Sequence, residues 1–190
     1  MIRIFNLTFL VFLFLITKAN SLIEIDITRG NLDPLPIAVS PLFQDDNSKR
    51  NSINELKIEN VGSEISLVVE NNLKISGLFN PLSKEAFLQK PDIAHLKPRF
   101  EDWALIKAQA LITGKVTIED KKLKVEFRLW DILAGREMMA LAFTTVPSNW
   151  RRVGHIISDK VYERLTGEKG YFDTRIIYVS EEGPKTARVK

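Results

Sequence analysis

Residues 110–146 constrain the fold more than any other part of this chain. Ala110 to Glu119, Leu123 to Leu133 and Arg136 to Val146 are three successive strand-like runs rich in β-branched, aromatic and aliphatic residues. The joining segments, Asp120-Lys121-Lys122 and Ala134-Gly135, leave room only for hairpins, so the three runs must form an antiparallel meander. Pro147 closes the last run, and Ser148 is the expected N-cap of a helix. In that helix Trp150, Val153, Ile157, Val161 and Leu165 share one face, and Gly167 supplies the stop.

Upstream the pattern is more mixed. Ile23-Glu24-Ile25-Asp26-Ile27-Thr28 alternates apolar and polar and predicts a short strand broken by Arg29-Gly30-Asn31. Prolines 34, 36 and 41 bracket a second apolar run, Ile37 to Leu42, and confine its strand pairing to the middle. Gln44 to Asn54 is polar and mixed in charge, which predicts an exposed loop. Val61, Ile65, Val68, Val69 and Leu73 recur at helical spacing, with Gly77 placed to end the helix. Three prolines and the Phe79-Asn80-Pro81-Leu82 turn leave most of 78–98 as expected loop, before a short helix within Arg99 to Gln109. The expected fold is α/β (α+β): a mixed five-stranded sheet with an antiparallel meander and two to three packed helices. Beyond the closing helix, Thr174-Arg175-Ile176-Ile177-Tyr178-Val179-Ser180 reads as a strand without a partner, an edge that a stable protein covers.

The amino terminus has the layout of a secretory leader. Arg3 precedes the 13-residue run Ile4 to Ile16, and Thr17-Lys18-Ala19-Asn20-Ser21 then turns small and polar. A permanent membrane helix takes about 20 apolar residues, so no permanent anchor is expected. Cleavage is expected between Ser21 and Leu22, with Ala19 at the minus-three position, or after Ala19 itself. Removing residues 1–21 takes away Arg3 and Lys18 and leaves 25 basic against 24 acidic side chains. That balance argues against nucleic acid, whose phosphates call for a surplus of Lys and Arg. There are no cysteines, which excludes disulfides, thiolate metal sites, cysteine nucleophiles and a lipidated cysteine together.

No set of residues assembles catalytic chemistry. His95 and His155 stand far apart and outside any pairing that puts two ligands on one helix face, so no metal site is expected. A hydrogen-bonded packing role suits His155. Asp26 on an outward strand position and Asp33 before Pro34 read as solvated carboxylates. Neither a Gly-x-Ser-x-Gly elbow nor a Gly-rich phosphate loop is present. Lys121, Lys122 and Lys124 alternate with Glu119, Asp120 and Glu126 as a hairpin tip that resists edge pairing does. Trp103, Trp130 and Trp150 fall on three elements as core or boundary residues. A binding or structural role remains, with no cofactor and no small-molecule substrate.

Several stretches carry a resemblance. Ile23 to Gly30, Pro36 to Leu42, Ser76 to Leu82, Ile112-Thr113-Gly114-Lys115-Val116 and Leu129-Trp130-Asp131 occur in order. They are followed by the block Trp150-Arg151-Arg152, His155, Ser158 to Gly170, Phe172 to Ile176 and Tyr178-Val179. Together they resemble the N-terminal domain of the TolB family of the periplasmic Tol-Pal system. The resemblance implies a leader over 1–21, an N-terminal α/β domain over 22–170, and over 171–190 the start of a β-propeller that this chain does not contain. It also implies a link between TolA and the envelope that supports outer-membrane integrity and constriction at division, with Pal bound only where a propeller is supplied. TolA engagement maps by resemblance to Leu22, Ile23, Glu24, Ile25, Asp26, Ile27, Thr28, Arg29, Gly30, Asn31, Leu32 and Asp33. An alternating strand ending in glycine is physically suited to leave its sheet and add to a partner's edge. A stand-alone envelope scaffold using the same domain is the alternative expectation.

Overall fold

A computed structural model describes residues 33–174. The expected leader, the strand at 23–28 and the strand at 174–180 beyond Thr174 lie outside the described residues. The meander forms as its spacing requires: β4 (Ala110–Glu119), β5 (Lys122–Asp131) and β6 (Arg136–Thr145) pair antiparallel. Asp120 and Lys121 both take left-handed φ angles, 49° and 58°, which gives the tight β4–β5 turn the twist that hairpins need. At the other hairpin the Asp131 carboxylate accepts from the Ala134 amide at 2.8 Å.

The parallel half is built on β1 (Leu35–Val39), which lies between β3 (Phe79–Pro81) and β4. After β1 the chain breaks at Pro41 and resumes alongside β4 as β2 (Phe43–Gln44), so β1 and β2 follow one edge of β4 in turn. Ser66 bridges the break. Its hydroxyl accepts from the Leu42 amide at 2.9 Å and donates toward the Ser40 carbonyl at 3.1 Å, where proline has removed a ladder donor. The sheet order is β3-β1-β4-β5-β6, with β2 beside β4, making six strands among the described residues where the sequence predicts five.

Five α-helices are present among the described residues. α1 (Asp46–Leu56) replaces the loop expected over Gln44 to Asn54. It lacks an apolar stripe because its inner face is serine: Ser48 accepts from the Ile118 amide at 3.2 Å, and Ser52 accepts from Gln44 and donates to the Ile58 carbonyl. α2 (Val61–Ile75) and α5 (Trp150–Thr166) carry the expected stripes and cover one face of the sheet. They approach closely at Gly154, where a Cβ would fall 2.8 Å from Val68 Cγ1. Ser148 does not cap α5, because Pro147–Asn149 form a 3₁₀ turn leading into it. Gly167, at φ 76°, ends α5 as expected.

The segment expected as loop over 78–98 contains β3, a 3₁₀ turn at Lys84–Ala86 and α3 (Pro91–Ala94), followed by α4 (Phe100–Leu105). Here Gln89, 3% exposed, takes the place of a repeating pattern. Its side chain accepts from the Arg99 amide and the Trp103 indole and donates to the Lys97 carbonyl. Trp103, Leu111, Trp130 and Ile132 then form a smaller cluster under part of the sheet's second face. The rest of that face is not covered by a described helix.

Candidate partner-binding segment and its attachment

Of the twelve residues expected to engage a partner, Leu22 to Leu32 lie outside the described residues, and Asp33 is exposed immediately before β1. The attachment point is well defined. Leu35 is buried and its amide donates to the Leu78 carbonyl at 2.9 Å, while the Pro36 carbonyl accepts from Gln109. The segment therefore joins the body at β1, an interior strand of the sheet.

The carboxyl-terminal exit is equally fixed. After Gly167 the chain folds back along α5, and both oxygens of Asp159 accept backbone amides, from Phe172 at 2.7 Å and from Asp173 at 3.1 Å. Gly170 passes so close that a Cβ would lie 2.4 Å from the Asp159 Cα. Arg152 grips the Asp173 carboxylate through Nε and Nη2, and this contact raises the guanidinium pKa further. Tyr171 and Phe172 pack on Tyr162, which in turn meets Phe79 of β3 edge-on. Burial, then Tyr171, pushes the Tyr162 hydroxyl above the ordinary tyrosine range. Residues 171–173 thus pack on the α/β body.

The histidines are absorbed by packing. The Asn72 amide nitrogen lies 2.9 Å from His155 Nδ1 and 3.0 Å from Ser158 Oγ, so its two hydrogens join α2 to α5 and make Nδ1 the acceptor. His95 stacks on Phe43 with ring centres 4.6 Å apart, and its Nδ1 donates to the Pro91 carbonyl at 3.0 Å. Trp103 and Trp130 are buried and Trp150 is half-buried, as expected. Among the described residues no group of three or more His, Asp or Glu side chains could hold a metal ion, and no helix is long and apolar enough to cross a membrane. The uncovered sheet face forms an open trough of ≈ 610 Å³ beside His95, Lys115, Glu126, Arg128 and Ala140. Its charges are matched at the surface, Lys124 with Glu126 at 2.8 Å and Arg128 with Glu137 at 3.4 Å.

The pattern described as the TolB amino-terminal domain matches residues 23–138, more than half of the sequence. The chain belongs to that family. A Tol-Pal system protein TolB from Pelagibacter ubique (strain HTCC1062) is 76% identical over 182 residues, which are 96% of this chain and 41% of that relative. The chain thus spans less than half the length of that relative. The crystal structure of TolB from Acinetobacter baumannii superposes with a TM-score of 0.59 at 22% identity, over 74% of this chain and 30% of that one. At that identity the likeness concerns the fold. In family terms, the matched pattern includes the segment before β1 and stops within β6, so α5 and the docked 171–173 stretch extend beyond it.

Proposed function

We propose that this chain is the exported α/β portion of a Tol-Pal component, processed between Ser21 and Leu22 and acting in the periplasm as a non-enzymatic adaptor. Residues 22–170 form its working domain, and residues from 171 onward lead toward a β-propeller. Its activity is to offer Leu22 to Asp33 to TolA, linking TolA to the envelope and supporting outer-membrane integrity during constriction. Pal is engaged only where propeller blades are supplied.

One observation supports this most directly: β1, the strand that the segment leads into, is already paired on both sides, by β3 and β4. The alternation of Ile23, Ile25 and Ile27 along the sequence suits a segment that adds to a partner's sheet edge. The test is deletion of residues 22–33 from the processed protein. Co-purification with the C-terminal domain of TolA is lost while the circular dichroism spectrum of the body persists; undiminished binding removes the proposed site.

A further inference from the structure

The sheet ends in β6, and the outer side of this ten-residue strand has no strand partner among the described residues. Natural edges carry a charge, a proline or a twist that repels other strands. The stretch Met139-Ala140-Leu141-Ala142-Phe143 has neither charge nor proline, and Ala140, Leu141 and Ala142 are exposed. The one irregularity lies at its start, where the register shifts opposite Leu129 and Trp130.

We propose that this edge pairs with the same edge of a second copy of the chain, antiparallel about a two-fold axis through Leu141. In that register Leu141 meets the partner's Leu141, Ala140 the partner's Ala142, and Met139 the partner's Phe143. No like charges oppose one another. Residues of opposed pairs always share the same parity, so outward amides and carbonyls meet outward carbonyls and amides.

The neighbouring strand carries the charge complementarity. Arg128 stands beside Ala140 and Glu126 beside Ala142 in the β5–β6 register. A row across the joined sheets therefore runs Arg128, Ala140, the partner's Ala142, the partner's Glu126, and symmetry repeats it in reverse. Three strand spacings of about 4.8 Å separate the charged residues at their Cα atoms. Arg128 and Glu126 keep their own partners, Glu137 and Lys124, and each row sets opposite signs, not like ones, on the two sides of the low alanine seam. Five central pairs make a small interface of the weak class, so the dimer forms reversibly as concentration rises. This inference is independent of the segment before β1.

Analytical ultracentrifugation of the leader-free chain from micromolar to millimolar concentration tests it. The expected result is a reversible rise from monomer to dimer mass. Ala140→Lys with Ala142→Lys sets lysine against lysine in both rows and abolishes the rise. Ala140→Glu with Ala142→Lys sets opposite charges across the axis and beside Arg128 and Glu126, and retains or tightens the dimer. Both positions are exposed, and circular dichroism melts check that each variant folds. A monomer at every concentration overturns the proposal, including one whose own terminal residues occupy the edge. A dimer that responds alike to both double variants overturns the register and with it the proposal.

Discussion

Replacing Ser66 by alanine tests how the central sheet survives its proline. Pro41 interrupts the strand that pairs with β4, and the Leu42 amide turns to the Ser66 hydroxyl at 2.9 Å instead of to a neighbouring strand. Leu42 is 3% exposed and Ser66 1% exposed, so no water replaces the lost acceptor. An orphaned buried amide costs about 1–3 kcal/mol. The Ser40 carbonyl loses one donor, but Ser66 already divides its hydrogen between that carbonyl and Gly62 at 3.0 Å, which makes this the smaller loss. Alanine returns up to roughly 0.5 kcal/mol as the better helix former. The net expectation is a destabilisation of about 1–2 kcal/mol, with unchanged urea m-value because the same surface is exposed on unfolding. Urea titration followed by far-ultraviolet circular dichroism measures it, with Asn71→Ala on the exposed side of α2 as the helix-propensity control. Hydrogen exchange at the Leu42 amide accelerates in parallel. A loss below about 0.5 kcal/mol, with that amide still protected, would refute the bridging role.

Two other outcomes follow from the geometry. Asp159→Ala leaves the Phe172 and Asp173 amides without acceptors and frees Tyr171 from Tyr162; at about 1–2 kcal/mol, chymotrypsin cleavage at 171–172 speeds up roughly tenfold, and an unchanged rate would contradict the clamp. The Ser48 amide, first among its contacts, holds the Asp45 carboxyl below the usual carboxylate range. Its contribution is therefore complete above the unfolded value near 4 and is lost as pH falls through the lower folded value. Asp45→Asn keeps a capping oxygen, so it changes stability little at pH 7 and flattens the acid limb of a pH series; an acid limb as steep as before would refute this.

The sequence revealed those parts of the fold whose burial repeats at a regular period. β5 and the second half of β4 alternate against a core, and α2 and α5 bury aliphatic residues at spacings of three and four, so their positions follow from pattern. α1 was hidden because Ser48 and Ser52 dock it through hydrogen bonds, and a polar inner face looks like a loop. The 82–99 region was hidden because Gln89 gathers an amide, an indole and a carbonyl from positions 8 to 14 residues away, and no local period records such a hub. Ser148 had the chemistry of a cap, but Pro147 winds the chain into a 3₁₀ turn before α5 begins. The partner-binding expectation rests on alternation at Ile23, Ile25 and Ile27 and on family likeness. Of its residues the described structure includes Asp33, and it defines the strand from which the segment departs.

The adaptor reading stands or falls on where a partner touches the chain. Amide NMR spectra of the isotope-labelled, leader-free protein, titrated with the C-terminal domain of TolA, locate that contact residue by residue. The account predicts that signals from Leu22 to Asp33 shift or broaden while those from β4 to α5 stay in place. Perturbations confined to the α/β body, or none at saturating partner, would contradict it.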